Sequence, residues 1–201
     1  MSDATAITVS IIIAYLLGSI PTALWVGQVF YKKDIRQFGS GNLGATNTFR
    51  VLGKKAGTIV LLFDIFKGVA AVLVADWIGV PFEPILIGVV SVIGHMYPIF
   101  AKFKGGKAVA TSAGVLLGYA PLVFFIALLI FIGLLKTTKM VSLSSMVIAV
   151  IVFLISLYEL IRNGNWEFFV IITCMASFII YRHRANIERI KNGTEPKITW
   201  M

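Results

Sequence analysis

The sequence predicts an all-α integral membrane protein with seven transmembrane helices, one or more of them short or broken. Of the 201 residues, 58% are hydrophobic and 13% are charged, and the mean hydropathy is +0.92. A soluble domain has about 45–50% apolar and about 25% charged residues, so this chain has too little polar surface for a water-soluble globule. The apolar residues also form runs near the length of about 20 residues that crosses a bilayer.

The apolar runs lie at residues 5–30, 56–79, 84–101, 107–135, 142–160 and 166–182. The first run has no basic residue before it and exceeds signal-peptide length, so a cleavable signal peptide is not expected. The run at 107–135 fits either one long helix or two short helices. Gly118 and Pro121, in the sequence Gly-Tyr-Ala-Pro at 118–121, supply a turn between two helices.

The basic residues favour two helices at 107–135, because Lys and Arg gather in cytoplasmic segments. With seven helices and the N-terminus outside, Arg162 is the one basic residue of 18 on the outer side, and Lys67 lies within a span. With six helices, Lys136, Lys139 and the basic C-terminal tail would move outside. We therefore expect seven helices, an outer N-terminus and a cytoplasmic C-terminus.

This topology makes the helix over residues 107–118 short, with a rise of about 18 Å against a hydrocarbon core of about 30 Å. The Gly-Gly-Lys sequence at 105–107 would then begin a half-helix within the membrane. The free N–H groups and positive dipole end of such a helix favour anions.

The segment GSGNLGATNTFR, at 39–50, begins with the G-x-G-x-x-G pattern of dinucleotide-binding loops. That pattern requires a strand before it and a helix after it in a βαβ unit, whereas here it follows an apolar membrane run, so an NAD site is rejected. Glycines still allow close backbone approach, and Arg50 has a planar fork suited to phosphate. The segment therefore predicts an anion-binding nest; an ordinary interfacial loop is the alternative.

Two further segments are rich in hydrogen-bond donors. FKGGKAVATS, at 103–112, resembles a phosphate-binding P-loop only loosely, because the upstream glycine is missing and Ala108 follows Lys107. Its Gly-Gly pair at a helix start still favours phosphate over an ordinary cytoplasmic turn. In YRHRANIERI, at 181–190, a helix would place His183 and Asn186 on one face. A basic end of a span explains the arginines of this segment but not His183 and Asn186.

All three segments fall on the cytoplasmic side of the predicted topology, which indicates one anionic site at the membrane surface. Ser142, Ser144 or Ser145 begins the sixth span on the same side. A serine there is expected to cap the helix, and contact with a ligand is the alternative.

Together the three segments, in this order, resemble the signature segments of the bacterial acyl-phosphate–glycerol-3-phosphate acyltransferases. DIFKG (64–68) and GHMYPIF (94–100) also resemble segments of that family, while Ala108 and Ile190 stand where many members have Gly and Leu. The resemblance implies transfer of a fatty acyl group from acyl phosphate to the 1-hydroxyl of sn-glycerol 3-phosphate, giving lysophosphatidic acid and inorganic phosphate. This is the first acylation of bacterial phospholipid synthesis. It implies a single transmembrane acyltransferase domain over 1–201, in the cytoplasmic membrane, with its active site facing the cytoplasm.

On this resemblance we assign residues to the reaction. The expected catalytic residues are Ser40, Asn42, Arg50, Lys107, His183 and Asn186. The expected substrate-binding residues are Gly39, Gly41, Gly44, Thr46, Asn47, Lys104, Gly105, Gly106, Thr111, Ser142, Arg182 and Arg184. The loop at 39–47 would bind the phosphate of acyl phosphate, while Arg50, Lys107 and His183 would bind that of glycerol 3-phosphate. Either the leaving phosphate or His183 would accept the proton.

Three other features complete the sequence-based expectations. Asp64 and Lys67, spaced i, i+3 within the second span, are expected to form a structural ion pair, and His95 either lies near the site or is a core histidine. Cys174 is the only cysteine, so no disulfide is possible. The two histidines lie in different segments, and we expect neither a metal nor a cofactor.

The expected partners are acyl phosphate, glycerol 3-phosphate and membrane lipids, with no nucleic acid and no obligate protein partner. A transporter is a rival interpretation, but the chain shows no internal repeat of the kind that transporters carry. A nucleic-acid binder would need aromatic residues interleaved with basic ones, and the basic loops hold few.

Overall fold

The computed structural model describes residues 1–199 of the chain, and this part is helical without any strand. The all-α prediction is therefore confirmed over these residues. Their helices are α1 (Asp3–Ser19), α2 (Thr22–Tyr31), α3 (Ala45–Leu52), α4 (Lys54–Ile78), α5 (Ile85–Met96), α6 (Val109–Tyr119), α7 (Pro121–Thr138), α8 (Val141–Asn163), α9 (Trp166–Arg182) and α10 (Arg184–Lys191). Short 3₁₀ turns lie at Ile35–Gln37 and Ile99–Ala101.

The helices group into two compact units. The first unit spans Met1–Ala120 and holds α1 to α6, and the second begins at Pro121 and holds α7 to α10. A single domain over the whole chain stays a prediction.

The apolar run at 107–135 is two helices, as the charge distribution predicted. α6 ends at Tyr119, and Ala120 leaves helical geometry with φ −133° and ψ 73°. Pro121 then begins α7, because proline lacks an N–H and its fixed φ suits the first helical position. A residue before proline is also disfavoured in the α region, which accounts for the break at Ala120.

The apolar run at 5–30 differs from a continuous helix. It is divided into α1 and α2, which are bent by 42°. Ile20 is extended and Pro21 follows it, so the proline effect that separates α6 from α7 acts here as well.

Three helices, α4, α7 and α8, are long and apolar enough to cross a membrane. The described part of the chain reaches five such spans if the bent pairs α1–α2 and α9–α10 each count as one. Apolar segments too short for this test lie at Ile85–Ala101 and Val109–Tyr119. Short and broken apolar helices are therefore present, as expected.

Glycines set the distance between helices in the first unit. A Cβ at Gly18 of α1 would overlap the carbonyl oxygen of Ser91 on α5, and a Cβ at Gly94 of α5 would crowd the carbonyl oxygen of Tyr15. Between α4 and α6, the glycines that face backbone in the same way are Gly68 and Gly114. Small residues let membrane helices approach closely without a large apolar core.

A different glycine contact holds α3 against α4. A Cβ at Gly57 of α4 would overlap the ring of Phe49 on α3. The Phe49 ring therefore packs directly against α4 at Gly57, and this contact holds in place the helix that carries Thr46 and Arg50.

In the second unit, α8 packs between α7 and α9. Phe153 of α8 and Phe169 of α9 pair with ring centroids 5.8 Å apart. The C-terminal segment returns to the α7–α8 junction, where the Ile198 N–H donates to the Lys139 carbonyl at 2.8 Å. Ile198 is buried there, so the segment beyond α10 is part of the packed unit.

Candidate active site

The glycine-rich loop (residues 39–44) follows a hydrogen-bonded turn between α2 and α3. Lys32 ends α2 in the left-handed region with φ 55°. Asp34 accepts the backbone N–H of Arg36 at 3.0 Å and the Arg36 side chain through Nε at 2.9 Å and Nη2 at 2.6 Å. The side-chain hydrogen bonds from Arg36 hold the pKa of Asp34 below its usual value.

Asn47 holds the glycine-rich loop in shape. Its Oδ1 accepts the Ser40 N–H at 2.9 Å, and its Nδ2 donates to the carbonyls of Ile35 at 3.3 Å and Phe38 at 3.1 Å. Gly39 has φ +60°, and a Cβ there would overlap Asn47 Oδ1. The structure thus gives the Asn47 amide a role within the loop, and its contact with substrate stays a prediction.

The loop leads into the N-terminus of α3. Gly44, the N-cap residue, is extended and provides no side chain, so the first-turn N–H groups lack the usual side-chain cap and are oriented to favour an anion. A Cβ at Gly44 would lie 3.0 Å from Asn42 Oδ1, which places the Asn42 amide over this N-terminus. Ser40 and Arg50 are exposed, while Thr46 is half-buried.

The Lys-Gly-Gly-Lys turn (residues 104–107) packs on the end of α5. The Gly105 N–H donates to the Met96 carbonyl and the Gly106 N–H to the His95 carbonyl, both at 3.1 Å. A Cβ at Gly105 would overlap the His95 carbonyl oxygen, and a Cβ at Gly106 would overlap His95 Nε2. Packing against His95 therefore requires both glycines, a reason that the sequence analysis did not find.

Ala108 links this turn to α6 in a conformation that favours glycine, with φ 62° and ψ 11°. A left-handed conformation costs a residue with a Cβ about 1–2 kcal/mol. We expect Ala108→Gly to raise the free energy of unfolding by about 1 kcal/mol, after allowance for the entropy that glycine loses. Thermal unfolding in detergent measures this, with Ala110→Gly inside α6 as the control that destabilises. Equal destabilisation by both variants would contradict it.

The glycine-rich loop and the Lys-Gly-Gly-Lys turn meet at an open pocket of about 430 Å³. The pocket is lined by Asp34, Arg36, Gln37, Gly41, Lys104 and Gly105. The first two donor-rich segments are therefore neighbours in the first unit. Arg36 and Gln37, which the sequence analysis did not select, add a guanidinium and an amide to this pocket.

A buried polar cluster (Asp64, Lys67 and His95) lies in the same unit. Lys67 Nζ is 2.8 Å from Asp64 Oδ1, with the two side chains 4% and 1% exposed, so the predicted ion pair is confirmed. Lys67 Nζ also donates to the Ile20 carbonyl at 3.2 Å, and Thr22 Oγ1 donates to Asp64 Oδ1 at 3.5 Å. The cluster therefore ties α4 to the break between α1 and α2.

Thr111 lies on the first turn of α6 and is fully buried. Its Oγ1 makes no hydrogen bond with the residues that the structure describes. Its contact with substrate stays a prediction.

The third donor-rich segment belongs to the second unit, where His183 separates α9 from α10 at a bend of 55°. His183 is the N-cap of α10, which begins at Arg184 and carries Asn186, and both side chains are buried. His183 Nδ1 lies 2.8 Å from the Ile179 carbonyl. Because a carbonyl only accepts, Nδ1 carries the proton, and the neutral ring has its lone pair on Nε2.

Glu195 is the centre of a second polar cluster that the sequence analysis missed. Its Oε1 accepts from Ser142 Oγ and Asn186 Nδ2, both at 2.6 Å, and its Oε2 accepts from Arg189 Nε at 2.8 Å. Glu195 is 7% exposed. Burial acts to raise the pKa of this carboxyl, but the hydrogen bonds from Ser142, Asn186 and Arg189 outweigh it and the pKa is lowered.

The three serines of α8 differ in their bonds. The Ser144 and Ser145 hydroxyls donate to the backbone carbonyls four residues earlier, those of Met140 and Val141. The Ser142 hydroxyl donates to Glu195 instead. Helix α8 has Met140 as its N-cap and no side-chain cap, so the expectation that one of these serines caps the helix is wrong.

The two arginines beside His183 occupy the surface of the second unit. Arg184 is exposed and its guanidinium lies 4.7 Å from the centre of the Tyr181 ring. Arg182 is half-buried at the end of α9. Both remain predicted substrate contacts.

Among residues 1–199, no three His, Cys, Asp or Glu side chains are grouped as metal ligands would be. That the reaction needs no metal or cofactor stays a prediction.

Known proteins identify the family. The model of the family described as Glycerol-3-phosphate acyltransferase matches residues 8–193. The chain belongs to the glycerol-3-phosphate acyltransferase family. A glycerol-3-phosphate acyltransferase of Listeria monocytogenes serovar 1/2a is 55% identical over 193 residues, which are 94% of this chain and 96% of that protein. The family resemblance found in the sequence is thereby confirmed.

Solved glycerol-3-phosphate acyltransferases share the fold. The crystal structure of PlsY (YgiH), an integral membrane glycerol 3-phosphate acyltransferase, in its glycerol 3-phosphate form has a TM-score of 0.87 and 37% sequence identity. The match covers 97% of this chain and 96% of that one. The lysophosphatidic acid form of PlsY has a TM-score of 0.84 and 36% identity, with the same coverage. This chain is accordingly similar to an integral membrane protein along nearly its whole length.

Proposed function

We propose that this protein transfers a fatty acyl group from acyl phosphate to the 1-hydroxyl of sn-glycerol 3-phosphate. The products are lysophosphatidic acid and inorganic phosphate, in the first acylation of bacterial phospholipid synthesis. The observation that carries the proposal is the similarity, over 97% of the chain, to an acyltransferase solved in glycerol 3-phosphate and lysophosphatidic acid forms. Acyl phosphate as the donor rests on the resemblance of the three donor-rich segments.

The proposed setting is the bacterial cytoplasmic membrane, with the active site facing the cytoplasm. Seven crossings follow if α5 and α6 each cross as short helices beside the five longer spans. The N-terminus is then outside and the C-terminus cytoplasmic, which agrees with the distribution of Lys and Arg. The proposed enzyme is one transmembrane domain that uses membrane lipid, acyl phosphate and glycerol 3-phosphate, and it needs no protein partner, nucleic acid, metal or cofactor.

Both substrates carry phosphate, so the proposed site must stabilise two anionic groups. Backbone N–H groups of the loop at 39–47, with Ser40 and Thr46, bind the phosphate of acyl phosphate. Arg50, Lys107 and His183 bind the phosphate of glycerol 3-phosphate. The uncapped N-terminus of α3 supports an anion here, because its N–H groups and helix dipole point the same way.

Glu195 fixes what two of the proposed site residues offer to substrate. Because Asn186 Nδ2 donates to Glu195, we assign the Asn186 amide oxygen to a hydroxyl of glycerol 3-phosphate. The Ser142 hydrogen also points at Glu195, so the lone pairs of Ser142 are its contribution to substrate. Both side chains can then accept the hydrogen bond that a glycerol hydroxyl donates.

In the proposed reaction the glycerol 1-oxygen bonds to the acyl carbon, and the bond from that carbon to the phosphate oxygen breaks. Acyl phosphate is a mixed anhydride and is already activated, so positioning supplies much of the acceleration. Asn42 and loop N–H groups stabilise the developing oxyanion. The departing phosphate accepts the hydroxyl proton, and His183 as a general base is the alternative.

The first experiment measures phosphate release by purified, detergent-solubilised protein with palmitoyl phosphate, with and without glycerol 3-phosphate. Parallel reactions contain palmitoyl-CoA in place of palmitoyl phosphate. We expect release that depends on glycerol 3-phosphate, formation of lysophosphatidic acid and no turnover of the CoA ester. Lys107→Gln should lose activity, whereas Lys55→Gln, an exposed charge on α4, should retain it. A folded wild-type protein without turnover would disprove the proposal.

The role of His183 is tested by the pH dependence of two kinetic constants, KM for glycerol 3-phosphate and kcat. Because Nδ1–H donates to Ile179, a contact from Nε2 to phosphate requires the protonated ring, and KM for glycerol 3-phosphate should rise at high pH. A general base requires the neutral ring instead, and kcat should fall at low pH. We expect the first pattern, with about a tenfold rise in KM for His183→Asn, which keeps a donor near Ile179.

The general-base alternative makes the opposite forecast for the same variant. It predicts a fall in kcat of about 10²–10⁴ and disappearance of the low-pH decline. His183→Gln places its donor near the Nε2 position. It should therefore bind glycerol 3-phosphate more tightly than His183→Asn only if His183 binds phosphate.

A further inference from the structure

The buried polar cluster (Asp64, Lys67 and His95) has no assigned part in the reaction, yet it contacts the Lys-Gly-Gly-Lys turn. The His95 ring has one nitrogen toward each neighbour. Nδ1 lies 3.7 Å from Asp64 Oδ1, and Nε2 lies where a Cβ of Gly106 would be. The ring therefore occupies the space between the ion pair on α4 and the backbone of the turn.

The ion pair lies beside the Nδ1 edge of the His95 ring, with Asp64 Oδ1 3.7 Å away. Asp64 Oδ1 is held by Lys67 at 2.8 Å and by Thr22 at 3.5 Å, and Lys67 is held in turn by the Ile20 carbonyl. All of these side chains are buried. Rotation of the ring would require the ion pair to lose a contact inside the membrane, where polar groups without partners are costly.

The backbone on the other side of His95 completes the connection. The N–H groups of Gly105 and Gly106 donate to the carbonyls of Met96 and His95, respectively. The turn thus rests on His95 through two backbone hydrogen bonds and through the ring itself. Its flanking residues are Lys104, which lines the pocket, and Lys107, the proposed phosphate contact.

We propose that His95, held by Asp64 and Lys67, is a positioning residue for the binding of glycerol 3-phosphate. The His95 ring fixes how closely the Gly106 backbone packs against α5 and thereby where Lys107 lies. His95 itself touches no substrate. The inference rests on the proposed function, because it gives the buried cluster a role in the affinity for one substrate of that reaction. Positioning of Lys107 matters because the attraction between its charge and the substrate phosphate weakens with distance.

The contact itself is tested by a double-mutant cycle on His95→Ala and Gly106→Ala. In the wild-type background, Gly106→Ala should lower Tm and raise KM for glycerol 3-phosphate, because the new methyl group overlaps the His95 ring. In the His95→Ala background the ring is gone, so Gly106→Ala should cost nothing further. Gly105→Ala is the matched control, since its methyl group meets the His95 backbone carbonyl and His95→Ala cannot relieve that overlap.

The functional part is tested by the two Michaelis constants of His95→Ala. We expect KM for glycerol 3-phosphate to rise about tenfold, while KM for palmitoyl phosphate and kcat each change by less than about threefold. General loss of structure would instead reduce the active fraction and leave both KM values unchanged. If His95→Ala fails to fold, His95→Asn takes its place, because it keeps a polar side chain near Asp64 and removes the ring edge toward Gly106.

The outcomes separate this inference from the proposed function. A wild-type protein that does not turn over glycerol 3-phosphate disproves the proposed function. An active wild type whose folded His95 variants keep the normal KM for glycerol 3-phosphate disproves the positioning role alone. Equal effects of Gly106→Ala with and without the His95 ring would also overturn it.

Discussion

Replacing Lys67 by Met is expected to lower the free energy of unfolding by about 3–5 kcal/mol, the usual cost of leaving one partner of a buried ion pair alone. Met keeps most of the apolar stem, so the loss comes from the charge and not from a cavity. Asp64 would remain 1% exposed, with Thr22 and His95 near Oδ1 and no hydrogen-bond partner for Oδ2 among residues 1–199.

Thermal unfolding in detergent measures this loss, and two further variants make the result specific. Lys55→Met removes an exposed charge from the same helix and should leave Tm nearly unchanged. The double variant Asp64→Asn with Lys67→Met should recover much of the stability, because no buried charge then remains. If the double variant were as unstable as Lys67→Met, the unpaired Asp64 carboxylate could not be the cause of the lost stability.

Replacing Glu195 by Gln is expected to destabilise the protein by roughly 3 kcal/mol, since each hydrogen bond to a charged group contributes about 1.5–3 kcal/mol. Three donors converge on this carboxylate, from Ser142, Asn186 and Arg189. A glutamine amide brings donors of its own, so at least one would face another donor. Arg189 is 37% exposed, and water reduces its share of the loss.

The same variant should also raise KM for glycerol 3-phosphate, because Glu195 fixes the proposed acceptors on Ser142 and Asn186. Glu188→Gln is the control, since Glu188 lies exposed on α10. A Glu195→Gln protein with unchanged Tm and unchanged KM would show that this carboxylate holds neither side chain.

The Glu195 contribution has a defined pH dependence. Its pKa in the folded protein lies below the ordinary value of 4.5, so the unfolded chain binds the proton more readily. The stabilisation is therefore complete above about pH 4.5 and is lost as the pH falls through the lower folded-state pKa. The difference in unfolding free energy between wild type and Glu195→Gln should shrink over that acidic range, and a difference that grows there would contradict the assignment.

Local signals in the sequence predicted the features that depend on neighbouring residues. The break before Pro121 was found because a proline and the charge distribution agree on it. The Asp64–Lys67 pair was found because residues spaced i, i+3 are neighbours on a helix. The break at Pro21 was missed because prolines are also tolerated within membrane helices, and no charge lies near it to decide.

Contacts between distant segments could not be predicted in this way. The glycines at 105 and 106 signalled close approach, but only the structure shows that His95 is what they approach. Ser142 meets Glu195 across 53 residues. The sequence offered for Glu195 only its place as an acid among the basic residues of the tail, and that signal does not identify a partner.

The glycines at which two helices approach closely are of two kinds, which differ in how they can be replaced during evolution. Gly18 and Gly114 face backbone carbonyls, and no replacement of another side chain makes room for a larger residue there. Gly57 faces the ring of Phe49, so a lineage that first acquires a smaller residue at 49 can then accept alanine at 57. Among homologues, the first class should be invariant and the second should covary with its partner, with the change at the partner arising first.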